Sequence, residues 1–203
     1  MRLIPILLGL AAAGALCAAP ALADEAKIER ARALVEARCF LCHGTTGESS
    51  SEVFPRLAGQ HAAYLSKQLA DFQSGRRKST TMNEMAKALT PEEIEGLGLF
   101  FARQRVEPHP AGDLDFAVVG RFLYQRGNMY SGVAPCAGCH GPRGEGTPTL
   151  PRIAGQHALY TESQLRQFHN RERNNDNAVM HAVASKLTEF EIKALAEFLA
   201  ALP

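Results

Sequence analysis

Cys39-Phe40-Leu41-Cys42-His43 and Cys136-Ala137-Gly138-Cys139-His140 share the pattern C-x-x-C-H. Two thiols three positions apart, with a histidine directly after them, suit three chemistries. They can attach a haem covalently, each thiol adding to one vinyl group while the histidine ligates the iron. They can cycle as a redox disulfide, which calls for a βαβ setting absent from this chain and gives the histidine no role. The four cysteines could also share a zinc ion, but the knuckles of such a site stand about 15–20 residues apart, and these are 97 apart. The pattern therefore predicts two covalently bound haem c groups. Cys39, Cys42, Cys136 and Cys139 are the expected anchors, and His43 and His140 the expected iron ligands.

The second axial ligand separates an electron carrier from a haem enzyme. A methionine thioether opposite histidine raises the potential and closes the iron to substrates. Beyond Met1 the methionines are Met82, Met85, Met129 and Met180. Met82 and Met180 each stand seven residues before a Leu-Thr pair, Leu89-Thr90 and Leu187-Thr188. Met85 is three residues out of that register, and Met129 precedes its own cysteine motif. Met82 and Met180 are thus the expected pair, both on a loop before the last helix of their half. His61 and His157 are also in register and stand as rival ligands, or as residues that cap or pack a helix start. His109, His169 and His181 have no histidine counterpart in the other half.

The ligands belong to a longer repeat. Pro55-Arg56-Leu57-Ala58-Gly59-Gln60-His61 returns as Pro151-Arg152-Ile153-Ala154-Gly155-Gln156-His157, offset by 96. A repeat of that period means two tandem domains. Apolar spacing predicts helices over 26–38 and 113–126 ahead of the cysteine motifs, and over 61–72 and 157–168 in the middle of each half. Thr90 with Glu93, and Thr188 with Glu191, predict capping boxes that open the last helices. No strand pattern is present, so the expected fold is all-α: two small helical domains, each wrapped around one haem. Pro108, Pro110 and Gly112 mark the boundary, giving domains of 24–107 and 108–203.

Residues 1–23 carry one charge, Arg2, then a long apolar run ending in Ala21-Leu22-Ala23. This reads as a secretory signal peptide cleaved after Ala23. A retained membrane anchor is the rival reading, and Cys17 leaves with the signal on cleavage. The chain of 203 residues has 22 Lys+Arg against 21 Asp+Glu. That balance excludes the basic excess of a nucleic-acid binder, and the ordinary apolar share excludes disorder. The one dense basic run, Arg76-Arg77-Lys78, is matched by Arg171-Glu172-Arg173. It reads as a solvated loop, with docking to an acidic partner or pairing with a haem propionate as alternatives. Arg143 reads as surface in the same way.

The tandem C-x-x-C-H motifs, the Pro-Arg-[Leu/Ile]-Ala-Gly-Gln-His segments and the methionines ahead of Leu-Thr resemble the bacterial dihaem cytochrome c4 family over essentially all of residues 24–203. The resemblance implies two class I cytochrome c folds facing each other with their haem propionate edges close. It also implies a periplasmic electron carrier, peripherally associated with the inner membrane, that takes electrons from a quinol-oxidising complex and serves a terminal oxidase. Closely similar dihaem chains occur as the cytochrome subunit of flavocytochrome sulfide dehydrogenases, which keeps a flavoprotein partner open. A dihaem redox enzyme, such as a peroxidase or a thiosulfate-oxidising enzyme, would need one open or unusually ligated iron.

Overall fold

Both halves open with a helix leading toward the cysteines. The computed structural model describes residues 18–107, 109 and 112–203. In the first half α1 (Ala18–Leu34) passes through a π-helical turn (Val35–Cys39) into α2 (Phe40–His43), which carries the first motif. α3 (Ala62–Gln73), the short α4 (Thr80–Ala86) and α5 (Pro91–Ala102) follow. The second half repeats the order: α6 (Leu114–Arg126), α7 (Ala137–His140), α8 (Ala158–His169), α9 (Val179–Ala184) and α10 (Glu189–Ala201). Among the described residues there is no β-strand, only one isolated bridge between Asn128 and Val133. The all-helical expectation holds. The expected loops at Met82 and Met180 are instead the short helices α4 and α9.

Local chemistry sets the helix starts. Thr90 Oγ1 accepts from Glu93 N at 3.2 Å, and Glu93 Oε2 accepts from Thr90 N at 2.7 Å, with Pro91 in the first turn. Thr188 and Glu191 form the same box at 3.2 and 2.9 Å. Each box satisfies two backbone N–H groups that have no partner within the helix. Ser79 caps α4 by accepting from Met82 N at 3.2 Å. α9 starts differently. Ala178 precedes it in the left-handed region with φ +65°, and Asp176 Oδ2 takes over by accepting from Met180 N at 2.6 Å.

Each half buries its own apolar core. Ile28, Val35, Phe72, Leu97 and Phe100 centre the first, and Leu123, Tyr124, Phe168, Ile192 and Leu195 the second. At roughly 1.5–3 kcal/mol for each fully buried side chain, these cores hold the helices together. The first and last helices of each half cross closely, α1 against α5 and α6 against α10. The small residue at the crossing is Gly96 on α5, facing Ala31, in one half. In the other it is Gly120 on α6, against Ala194. A Cβ on Gly120 would fall on the Ala194 carbonyl oxygen.

The halves are joined by reciprocal polar contacts. Gln60 accepts from Arg152 N at 2.9 Å and donates to Arg152 O at 2.8 Å. Gln156 does the same to Arg56, at 2.9 and 3.0 Å. His61 Nε2 lies 2.8 Å from Glu145 O, and His157 Nε2 lies 2.9 Å from Ser49 O. The reading of Arg76-Arg77-Lys78 as a wholly solvated loop is corrected here. Arg76 and Lys78 are exposed, but Arg77 is 8% exposed and bonded into the other half. Its counterpart is Arg173, at the offset of 96 that governs the interface, so the two triplets align one residue away from the expected register.

Candidate haem sites

Each C-x-x-C-H motif ends in a helical turn closed by a glycine in the left-handed region, Gly44 with φ +73° and Gly141 with φ +82°. The reversal carries the chain back beneath the histidine. Pro55 O then lies 3.0 Å from His43 Nδ1, and Pro151 O lies 3.0 Å from His140 Nδ1. A carbonyl can only accept, so Nδ1 carries the proton and donates, leaving Nε2 with its lone pair. Both histidines are 7% exposed. Burial lowers both imidazole pKa values, against the opposing proline hydrogen bonds, and favours the neutral ring that a metal needs. An oriented, neutral imidazole with a fixed tautomer is the arrangement of an axial ligand.

All four motif thiols are unpaired. Burial raises the pKa of Cys39, and pushes Cys136 up to about 11, so these two stay protonated at neutral pH. The first motif borders an apolar cleft whose walls include Leu34, Cys39, Leu69, Met82, Met85 and Leu97. A thiol from the motif and two thioethers from α4 therefore share one cavity. Arg38 Nη2 donates to Met85 O at 3.2 Å, tying the end of the π-turn to α4. In the second half Cys136 and Met180 pack against one core, as Cys39 and Met82 do in the first. In the first half one motif thiol and two thioethers line the cleft, and the buried, neutral imidazole of His43 follows in the same motif, a donor set that fits a haem.

The other histidines have different tasks. His61 and His157 face the opposite half, as described above. His181 Nδ1 lies 2.9 Å from Phe168 O, the bond that Asn83 Nδ2 makes to Phe72 O at 2.5 Å in the first half. His169 Nδ1 lies 3.0 Å from Ala184 O, where Gln73 donates to Ala86 O at 3.1 Å. His109 Nε2 is 3.3 Å from Glu48 Oε2. Arg143 is exposed, in line with the surface reading. The sequence reading missed Tyr64, Tyr160, Gln68 and Gln164 as interface residues. Their constant offset of 96, kept by polar side chains, was the signal available.

No helix among the described residues is long and apolar enough to cross a membrane. A family model described as Cytochrome c matches residues 28–100 and 124–203, one segment in each half. Cytochrome c4 of Thiocapsa roseopersicina is 41% identical over 168 residues, which is 81% of this chain and 86% of that protein. A protein of Stutzerimonas stutzeri (strain A1501) named thiosulfate dehydrogenase electron acceptor is 36% identical, over 80% of this chain and 77% of its own. The crystal structure of reduced recombinant cytochrome c4 from Pseudomonas stutzeri superposes with a TM-score of 0.82 at 34% identity, over 87% of this chain and 98% of that one. The chain thus belongs to the cytochrome c4 family, dihaem c-type electron-transfer proteins rather than enzymes, with two covalently bound haems.

Proposed function

We propose that Cys39 and Cys42 anchor the first haem with His43 and Met82 as its axial ligands, and that Cys136, Cys139, His140 and Met180 serve the second. Met82 carries this reading: it shares an apolar cleft with Cys39 and has Met180 as its counterpart in the other core. A haem so held supplies a reversible one-electron couple whose potential a methionine ligand raises. The chain's residues then keep that couple rigid. The Pro55 and Pro151 carbonyls hold the imidazoles in one orientation. The capped helices α4 and α9 hold the methionines. The reciprocal Gln60 and Gln156 contacts hold the two domains, residues 24–107 and 108–203, in a fixed relation.

On this reading residues 1–23 are a cleaved export signal and the mature protein works in the periplasm, at times bound peripherally to the inner membrane. It takes electrons from a quinol-oxidising complex and passes them to a terminal oxidase. A second reading, acceptance of electrons from a thiosulfate dehydrogenase, is favoured by the relative of that name. Stopped-flow mixing of the oxidised holoprotein with each donor tests the two. Fast reduction by a quinol-oxidising complex with its quinol supports the first. Fast reduction only by thiosulfate with a thiosulfate dehydrogenase replaces it with the second. Reduction by neither overturns both donor assignments.

A further inference from the structure

Two buried arginines face each other across the domain interface. Arg77 Nη1 donates to Gln68 Oε1 at 2.9 Å, and its Nη2 to Tyr160 Oη at 2.8 Å and Gln164 Oε1 at 2.9 Å. Arg173 mirrors it: Nη1 donates to Gln164 Oε1 at 2.8 Å, and Nη2 to Tyr64 Oη at 2.8 Å and Gln68 Oε1 at 3.2 Å. Each guanidinium also lies over a phenylalanine of its own half, 4.6 Å from the Phe72 centroid and 4.5 Å from that of Phe168. Both arginines are under a tenth exposed.

None of these acceptors is a carboxylate. Among the described residues, neither guanidinium has a carboxylate within ion-pair distance. Asp71, the buried acid of this region, is taken by Lys67, Arg76 and Asn175 at 2.5, 2.7 and 2.7 Å. Asp176 acts on Arg173 only at longer range, its oxygens being bonded at the start of α9. Arginine does not escape burial by losing its proton. A buried charge without a counter-charge is costly, and two of one sign sharing the same two glutamine oxygens repel each other. The phenylalanines beneath them belong to the cores against which Met82 and Met180 pack. Each charge is therefore one aromatic ring from a haem-bearing core, and each is bonded to both domains.

From this we infer that Arg77 and Arg173 are redox-tuning residues: a buried guanidinium pair at the domain interface, bonded to no carboxylate side chain among the described residues, that favours the reduced state of both haems. The reduced site carries one positive charge fewer, so a fixed cation in a medium of low dielectric stabilises it relative to the oxidised one. Because the pair is shared, removing either charge lowers both potentials. The inference rests on the haem sites proposed above.

The test is an optical redox titration of the holoprotein and of R77Q, R173Q, R77K and Tyr160→Phe. Each variant is also checked for two haems, for the methionine–iron absorption band, and for its thermal unfolding and small-angle scattering profile. In R77Q and R173Q, at a fixed ambient potential near the midpoints, the reduced-to-oxidised ratio falls by about threefold or more at both haems. R77K, which keeps the charge, recovers most of the loss. Tyr160→Phe, which removes an acceptor and no charge, leaves both potentials in place. The inference is overturned by unchanged potentials in R77Q or R173Q with scattering and melting intact. A shift confined to one haem, or a shift in R77K equal to that in R77Q, overturns it as well. Loss of the methionine–iron band in the wild-type protein would instead sink the ligand assignment, which separates the two failures.

Discussion

The two halves of this chain reach the same site by different routes. In the first, α1 runs through the π-turn directly into Cys39. In the second, α6 stops at Arg126, and a loop closed by the Asn128–Val133 bridge intervenes before Cys136. At the crossing of first and last helices the glycine has changed sides, Gly96 on the last helix of one half and Gly120 on the first helix of the other. With the crossings aligned, exposed Glu25, Glu29 and Ala33 of α1 correspond to exposed Leu114, Val118 and Phe122 of α6. What repeats faithfully is the histidine–proline bond, the capping boxes of the last helices and the core of the interface lattice. The helix–helix contact needs a small residue on either partner, so only the closeness is kept. The outer faces do not repeat: Glu25 pairs with Arg103 at 2.5 Å and Glu29 with Arg32 at 3.2 Å, where α6 exposes apolar side chains.

The largest way to break this comparison is to fill the crossings. Gly120→Ala places a methyl group on the Ala194 carbonyl, whereas Gly96→Ala meets Lys27 O at 2.8 Å. The expected losses are about 3 kcal/mol in the second half and about 1–2 kcal/mol in the first, as overpacking of rigid backbone costs. Urea unfolding followed by far-ultraviolet circular dichroism reads both. Equal losses would mean that the two crossings are equally tight.

A smaller effect separates the halves by pH. Asp71 is buried at the interface, and the corresponding position in the second half is Gln167. Burial alone would raise the Asp71 pKa. Hydrogen bonds from Lys67 and Asn175, with the charges of Lys67 and Arg76, outweigh burial and hold it below the ordinary carboxylate value. A lowered folded pKa means that the contribution to stability is complete above the unfolded pKa, near 3.9. It is lost as pH falls through the folded value. Asp71→Asn should therefore lower stability at pH 7 by about 1–2 kcal/mol and flatten its decline in acid. An acid limb of the same steepness in the variant would show that other carboxylates carry it. The smallest expected change is the loss of the caps. Thr90→Ala and Thr188→Ala should each cost about 1 kcal/mol, with matched melting shifts because the two boxes have the same geometry.

Local features were legible in the sequence. The cysteine motifs, the capping boxes and the helix order need only neighbours along the chain, and each reappears where spacing put it. Met82 and Met180 were singled out by their distance from Leu-Thr, and they sit on helices that their short sequences do not announce. The interface was not legible, because its hydrogen-bonded partners are 83–109 residues apart. A Gly-Arg-Arg-Lys run looks solvated until the middle arginine is found over Phe72. The alignment also slipped there. The offset is 96 from Tyr64 to Arg77 and 98 by Met82, and the two extra residues fall where Asn177 and Ala178 adopt positive φ.

The central claim is that Met82 and Met180 each complete a haem site. Both Met82 and Met85 line the first cleft, so the claim is open to a direct test by absorption spectroscopy. In the oxidised holoprotein, the weak band near the red edge of the visible spectrum that marks methionine–iron bonding should have the intensity of two haems per chain. Met82→Ala and Met180→Ala should each halve it, and Met85→Ala should leave it whole. A band halved by Met85→Ala and untouched by Met82→Ala would contradict the account.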